Sequence, residues 1–101
     1  MSAQEFISLP LHDALLYTFT LLWEQKICRF HLDVFAERGK SASPHLLEFH
    51  AVELIHAPLT DSWAPSYSIN AVSQSAGNFL IEMQSGDTIE VRAGGFTFIA
   101  L

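Results

Sequence analysis

Three groups of residues in this chain have types suited to chemistry. His12-Asp13 sets an imidazole beside a carboxylate. His45, His50 and His56 fall within one segment and invite a metal reading. Trp63, Ser66, Tyr67 and Asn70 bring two large aromatic rings and two polar side chains together beside two prolines. Each group has to be tested against the spacing its chemistry requires.

A catalytic Asp–His relay needs the carboxylate bonded to the imidazole and a nucleophile beyond it. Adjacent residues on a strand point to opposite faces, so His12 and Asp13 are not expected to form a direct dyad. Nothing near them in sequence supplies the third member. The simpler expectation is a strand-entry motif, with Pro10 fixing the approach and Asp13 capping backbone amides. His12 is the less explained half and stays a candidate binding residue. His50 and His56 share parity, but about 20 Å of strand would separate them. No H-x-x-x-H or H-x-H spacing occurs, so surface histidines and no metal site are expected. No G-x-S-x-G occurs either, and Cys28 is the single cysteine. It sits in the apolar phase of its segment, which reads as a buried, inert thiol. No cofactor and no enzymatic activity follow from these residues.

The aromatic stretch is more suggestive. It lies inside Ser62–Ile81, a run without a charge. Desolvating such a run strips water from few charges, and tryptophan and tyrosine on loops are preferred anchors of binding surfaces. Trp63, Tyr67, Ser66 and Asn70 are therefore expected in a contact, either with an external protein or with a second copy of this chain. The alternative is that Trp63 folds back as a lid over an open end of the sheet.

The elements that must position these residues are strands. Ala14–Trp23 fits both a helical and a strand period, but Tyr-Thr-Phe-Thr favours a strand. Its apolar face would be Leu15, Tyr17, Phe19, Leu21 and Trp23. In Lys26–Glu37, Cys28, Phe30, Leu32, Val34 and Ala36 alternate with Arg29, His31, Asp33 and Phe35, as on a half-buried strand. Glu37–Pro44 has the composition of a surface loop. Leu46–His56 changes phase between Phe49 and Val52, which predicts a bulge near His50-Ala51. A long connection follows, Ala57–Pro65. Ser66–Val72 would place Tyr67, Ile69 and Ala71 on one face. Phe79–Met83 and Ile89–Ala93 alternate around a three-residue loop expected at Ser85–Asp87. That loop would pair Gln84 with Thr88 and put Glu82 opposite Glu90. Gly94-Gly95 turns the chain into Phe96–Leu101. The expectation is one all-β domain over 1–101. It has six to seven antiparallel strands, mostly up-and-down, in a sandwich or a partly open barrel.

Composition bounds what such a domain can meet. The chain has 101 residues, half of them hydrophobic and 16% charged. A domain of this size buries roughly 65% of its unfolded surface, enough for one core without staples. The net charge is −6. Residues 41–101 hold six acids and one base, against five acids and four bases in residues 1–40. This acidic surface repels phosphate backbones and anionic membranes and attracts a basic protein partner. The start MSAQEFISLP lacks the features of a signal peptide, and the uncharged run carries five serines. A cytoplasmic protein is the expectation.

Several short motifs carry a resemblance. They are "LHDA" leading into a strand with a terminal Trp, Phe49–Val52 as F-x-x-V, Trp63–Asn70 as W-x-P-S-x-S-I-N, and Met83–Glu90 as MQSGD-x-I-E. Together they resemble a group of small bacterial β-rich proteins of unknown function. Some similar proteins are thought to be immunity proteins that accompany polymorphic toxins. The resemblance implies a small β-rich cytoplasmic protein and transfers no catalytic residue. The function expected is a non-enzymatic protein-binding module, in one form an immunity-type inhibitor, with a small apolar ligand-binding barrel as the alternative. A filled core would favour the first and a pocket of several hundred Å³ the second.

Overall fold

Two four-stranded antiparallel sheets pack face to face in a computed structural model that describes residues 5–35 and 41–101. After a 3₁₀ turn at Phe6–Ser8 the strands are β1 (Leu15–Leu22), β2 (Ile27–Val34), β3 (Ser43–His50), β4 (Leu54–His56), β5 (Ile69–Ser75), β6 (Asn78–Met83), β7 (Thr88–Arg92) and β8 (Gly95–Ala100). The first sheet has the order β1-β2-β3-β8 and the second β4-β7-β6-β5. Eight strands form among the described residues, where six to seven are expected from the sequence. The sheets do not close into a barrel. No α-helix occurs among the described residues.

The extra strand comes from the phase change after Phe49. His50-Ala51 is not a bulge within one strand. The first sheet ends there, Ala51 turns with φ +53°, and the chain crosses to the second sheet as β4. Three backbone bonds fix this corner: Val52 N–H to the Lys26 carbonyl, Glu53 N–H to Arg92 and Gly94 N–H to His50, each 2.8 Å long. The return crossover at Ala93-Gly94 lies against it. A Cβ on Gly94 would stand 3.0 Å from that of Ala51, so a side chain there would push the two crossovers apart. An extra residue resets apolar parity, and so does a change of sheet, and sequence alone does not separate the two.

β2 follows its alternation: Cys28, Phe30, Leu32 and Val34 are buried while His31 is exposed. Ala36 and Glu37–Lys40 lie outside the described residues, and Ser43-Pro44, expected in a loop, open β3. β1 carries a bulge at Tyr17, where pairing to β2 shifts between Leu16 and Thr18. Leu16 is therefore buried with Leu11 and Ala14, and Phe19 and Leu21 take over the inward face by pairing with buried Phe30 and Cys28. The single face of Leu15, Tyr17 and Phe19 expected from alternation is thus split. β5 has a similar shift between Ile69 and Ala71. Ile69 and Val72 face the core, whereas Tyr67 and Ala71 do not.

The β6–β7 hairpin keeps the expected faces but moves its loop by one residue. Met83 N–H donates to the Asp87 carbonyl, so Gln84–Gly86 form the loop and Glu82 pairs with Thr88. Gly86 stands third in the loop with φ +95°, the left-handed place that three-residue hairpins reserve for glycine. The register also separates the carboxylates: Glu90 lies opposite Leu80, not Glu82.

The core is densest around Phe6, which reaches in from the 3₁₀ turn. Its ring meets Phe49, Phe79 and Phe96 at centroid distances of 5.9, 5.0 and 5.4 Å. Phe30 packs edge-on against Phe49 at 5.5 Å.

Candidate functional site

The other end of the sandwich is not filled. β1 starts against β5, where Leu16 N–H donates to the Tyr67 carbonyl and Ile69 N–H to Ala14. Its last residues and the turn after it lie beside Val52–Ile55. Between these points a cleft of about 400 Å³ opens under the strand. Leu16, Phe19, Met83 and Ile89 line its floor, and Pro58, Leu59, Ser66 and Tyr67 its sides. Phe19 pairs with Phe30 and stacks on its ring at 5.2 Å, so it faces inward, yet 40% of it is exposed. An inward-facing aromatic ring reached by water defines the site. Tyr67 at the rim tilts against Tyr17, with 5.8 Å between centroids. The Tyr17 hydroxyl donates to Asp33 at 2.8 Å, and losing that proton beside a carboxylate is unfavourable, which raises its pKa.

Asp87 builds one wall. The residue is 6% exposed, and its carboxylate accepts four hydrogen bonds, from Thr60 N–H, Thr60 Oγ1, Asp61 N–H and Ser85 Oγ. The bonds from Thr60 and Asp61 hold the carboxyl below its usual pKa against the opposing effect of burial. With these acceptor positions occupied, Asp87 fixes the connection after β4 and stays ionised to lower pH than an ordinary carboxylate. Asp61, exposed at the rim with φ +49°, is the acid that this connection presents to the cleft.

The residues singled out from sequence divide between two places. Ser66 and Tyr67 line the cleft, and the Ser66 hydroxyl accepts from Ser68 N–H at 3.1 Å. Trp63 stands beside it, 70% exposed, and its backbone N–H donates to the Ser85 carbonyl at 2.9 Å. Its indole covers Gly86, where a Cβ would come within 3.0 Å of the ring. Trp63 thus rests on the hairpin loop and still offers most of its surface.

His12 and Asn70 lie elsewhere. His12 Nδ1 donates to the Asn70 carbonyl at 2.7 Å, which leaves Nε2 outward, 3.6 Å from an Asp13 carboxylate oxygen. Both side chains are exposed in a turn, and Asp13 has φ +66°. Asp13 accepts from Gln84 Nε2 at 2.7 Å rather than from backbone amides, a correction to its expected capping role. Asn70 donates to Glu82 at 2.7 Å. These residues tie the entry of β1 to the second sheet.

The histidines of the middle segment also separate. His45 is buried, stacked on Phe98 at 4.9 Å, and is not the surface residue expected. His50 contacts Thr97 Oγ1, and His56 sits on the other sheet. Among the described residues no three His, Cys, Asp or Glu side chains come together as a metal site. Burial raises the pKa of the Cys28 thiol to about 12. Among the described residues, no helix is long and apolar enough to cross a membrane.

Sequence reasoning missed Phe19, Met83, Ile89 and Asp87 as parts of the site. All four sit in segments that read as ordinary alternating strand or turn. The one available signal was the aromatic density of Tyr17–Phe19 on a strand. No protein-family model, no curated protein and no solved structure matches this chain.

Proposed function

We propose that the chain is a non-enzymatic binding module and that the open end of the sandwich is its binding site. The observation that carries this reading is inward-facing Phe19, exposed at a cleft of about 400 Å³. Clefts of about 300–1,000 Å³ with mostly apolar walls are the usual receptors for an inserted apolar group. The rim supports a protein as the source of that group: Trp63, Tyr67 and Leu59 are exposed together, at 70%, 56% and 89%. Aromatic anchors of this kind dominate the energetics of protein contacts. The net charge of −6 favours a basic partner and disfavours nucleic acid. An immunity-type inhibitor is one form of this activity.

A non-enzymatic reading fits the chemistry at hand. Asp87 is saturated with donors, Cys28 is buried with a raised pKa, and the His12-Asp13 pair lies in the turn before β1, bonded to the Asn70 carbonyl and Gln84. A second reading, a small apolar ligand held in the same cleft, is favoured by the cavity volume itself.

The test is a fragment titration followed through the methyl signals of Met83 and Ile89. Saturable shifts at both, with Phe19 ring signals moving alongside, are expected for aromatic and branched aliphatic fragments. Methyl signals unmoved at millimolar fragment would end the reading.

A further inference from the structure

The outer edge of β1 is only half used. Leu16 N–H is bonded to Tyr67, but from Thr18 to Leu22 that edge has no backbone partner among the described residues. Natural sheet edges are usually blunted with lysine, proline, an inward charge or a bulge, and the bulge of β1 lies before this stretch, at Tyr17. The sequence Thr18-Phe19-Thr20-Leu21-Leu22 contains none of these.

The inward side chains of this stretch line two clefts in succession. Phe19 belongs to the cleft of about 400 Å³. Leu21, two residues on, belongs to a second of about 270 Å³, with Trp23, Lys26, Glu53 and Leu54. Residues i and i+2 of a strand share a face and stand about 6.6 Å apart. A strand added along β1 would therefore carry two of its own alternate side chains over the two clefts, while its backbone satisfies the free edge.

Charge indicates which strand fits. Asp61 lines the first cleft, Glu53 lines the second, and Glu24 lies in the turn between β1 and β2, with Lys26 the one base in that turn and those linings among the described residues. A second copy would bring the same acids against themselves, and two chains of −6 would meet.

The geometry points to Thr18–Leu22 as a docking edge for an extended segment of a partner protein, with apolar residues at alternating positions and basic residues flanking them. This rests on the binding-module reading above and names the partner's chemistry.

A display selection of random decapeptides on the folded protein tests it. Enriched peptides should alternate apolar residues and carry lysine or arginine. They should slow amide exchange at Thr18–Leu22 and lose affinity as salt is added. A twin of the best peptide, N-methylated on the edge-facing amides, should bind at least about tenfold more weakly, because each lost hydrogen bond carries a comparable factor.

Equal affinity of the two twins, no exchange protection at Thr18–Leu22, no enrichment, or self-association of the chain through this edge would each overturn the proposal. If fragments still shift Met83 and Ile89 in any of those cases, the docking edge alone fails. If they do not, the binding-module reading fails with it.

Discussion

β6 joins two differently built ends of the same sandwich. At Phe79 the space between the sheets is occupied by four phenylalanine rings centred on Phe6. At Met83 it is a cleft walled by a loop that one carboxylate holds in place. Both ends draw on the same kinds of residue. The difference is that the segment before β1 plugs one end with Phe6, and no described residue plugs the other. A closed end is held by contacts between apolar rings. An open end must be held by polar bonds at its rim, which leaves apolar floor to be covered by something else.

The largest effect should come from removing the plug. Phe6→Ala is expected to cost about 3–5 kcal/mol, since the ring is fully buried and three aromatic neighbours would face a void. Urea denaturation measures it, and a loss below about 1 kcal/mol would erase the distinction between the ends.

Gly86→Ala should come next, at about 1–2 kcal/mol for a left-handed residue gaining a Cβ. That Cβ would lie 2.7 Å from Ser62 Oγ and 3.0 Å from the Trp63 ring. The indole should move, so Trp63 fluorescence should shift in the folded protein, which separates this variant from Phe6→Ala.

A smaller loss is expected in acid. The Asp87 pKa is lowered by folding, so its contribution to stability is fully present above the unfolded value near 4 and disappears as pH falls through the lower folded value. Asp87→Asn should flatten the melting temperature against pH below about 4, and an unchanged profile would remove Asp87 as the anchor of the rim.

Smallest of all should be Phe19→Ala, at about 1 kcal/mol, from a half-exposed ring that loses one stacked neighbour. Its effect on fragment or peptide binding should exceed its effect on melting. The reverse balance would make Phe19 a core residue like Phe6.

Sequence by itself determined the all-β class, because strict alternation in Cys28–Val34 and Phe79–Met83 leaves no other period. It also determined that Cys28 would be buried and that Tyr67 and Trp63 would be prominent aromatic residues. Each depends on residues near one another in the chain. Tertiary structure decided what the phase break after Phe49 meant, since a bulge and a sheet change reset parity alike, and it added a break in β1 that the alternation of the sequence does not show. β1 holds a bulge at Tyr17, and His50-Ala51 is a corner between sheets. It decided that Gln84–Gly86 and not Ser85–Asp87 turn the hairpin, because the left-handed place falls on Gly86. It decided above all which end is filled. Phe6 plugs its end through contacts 43, 73 and 90 residues away, and Asp87 anchors Thr60 and Asp61 across 27 and 26 residues. Contacts over such separations depend on how the sheets stack, and local spacing does not specify how the sheets stack.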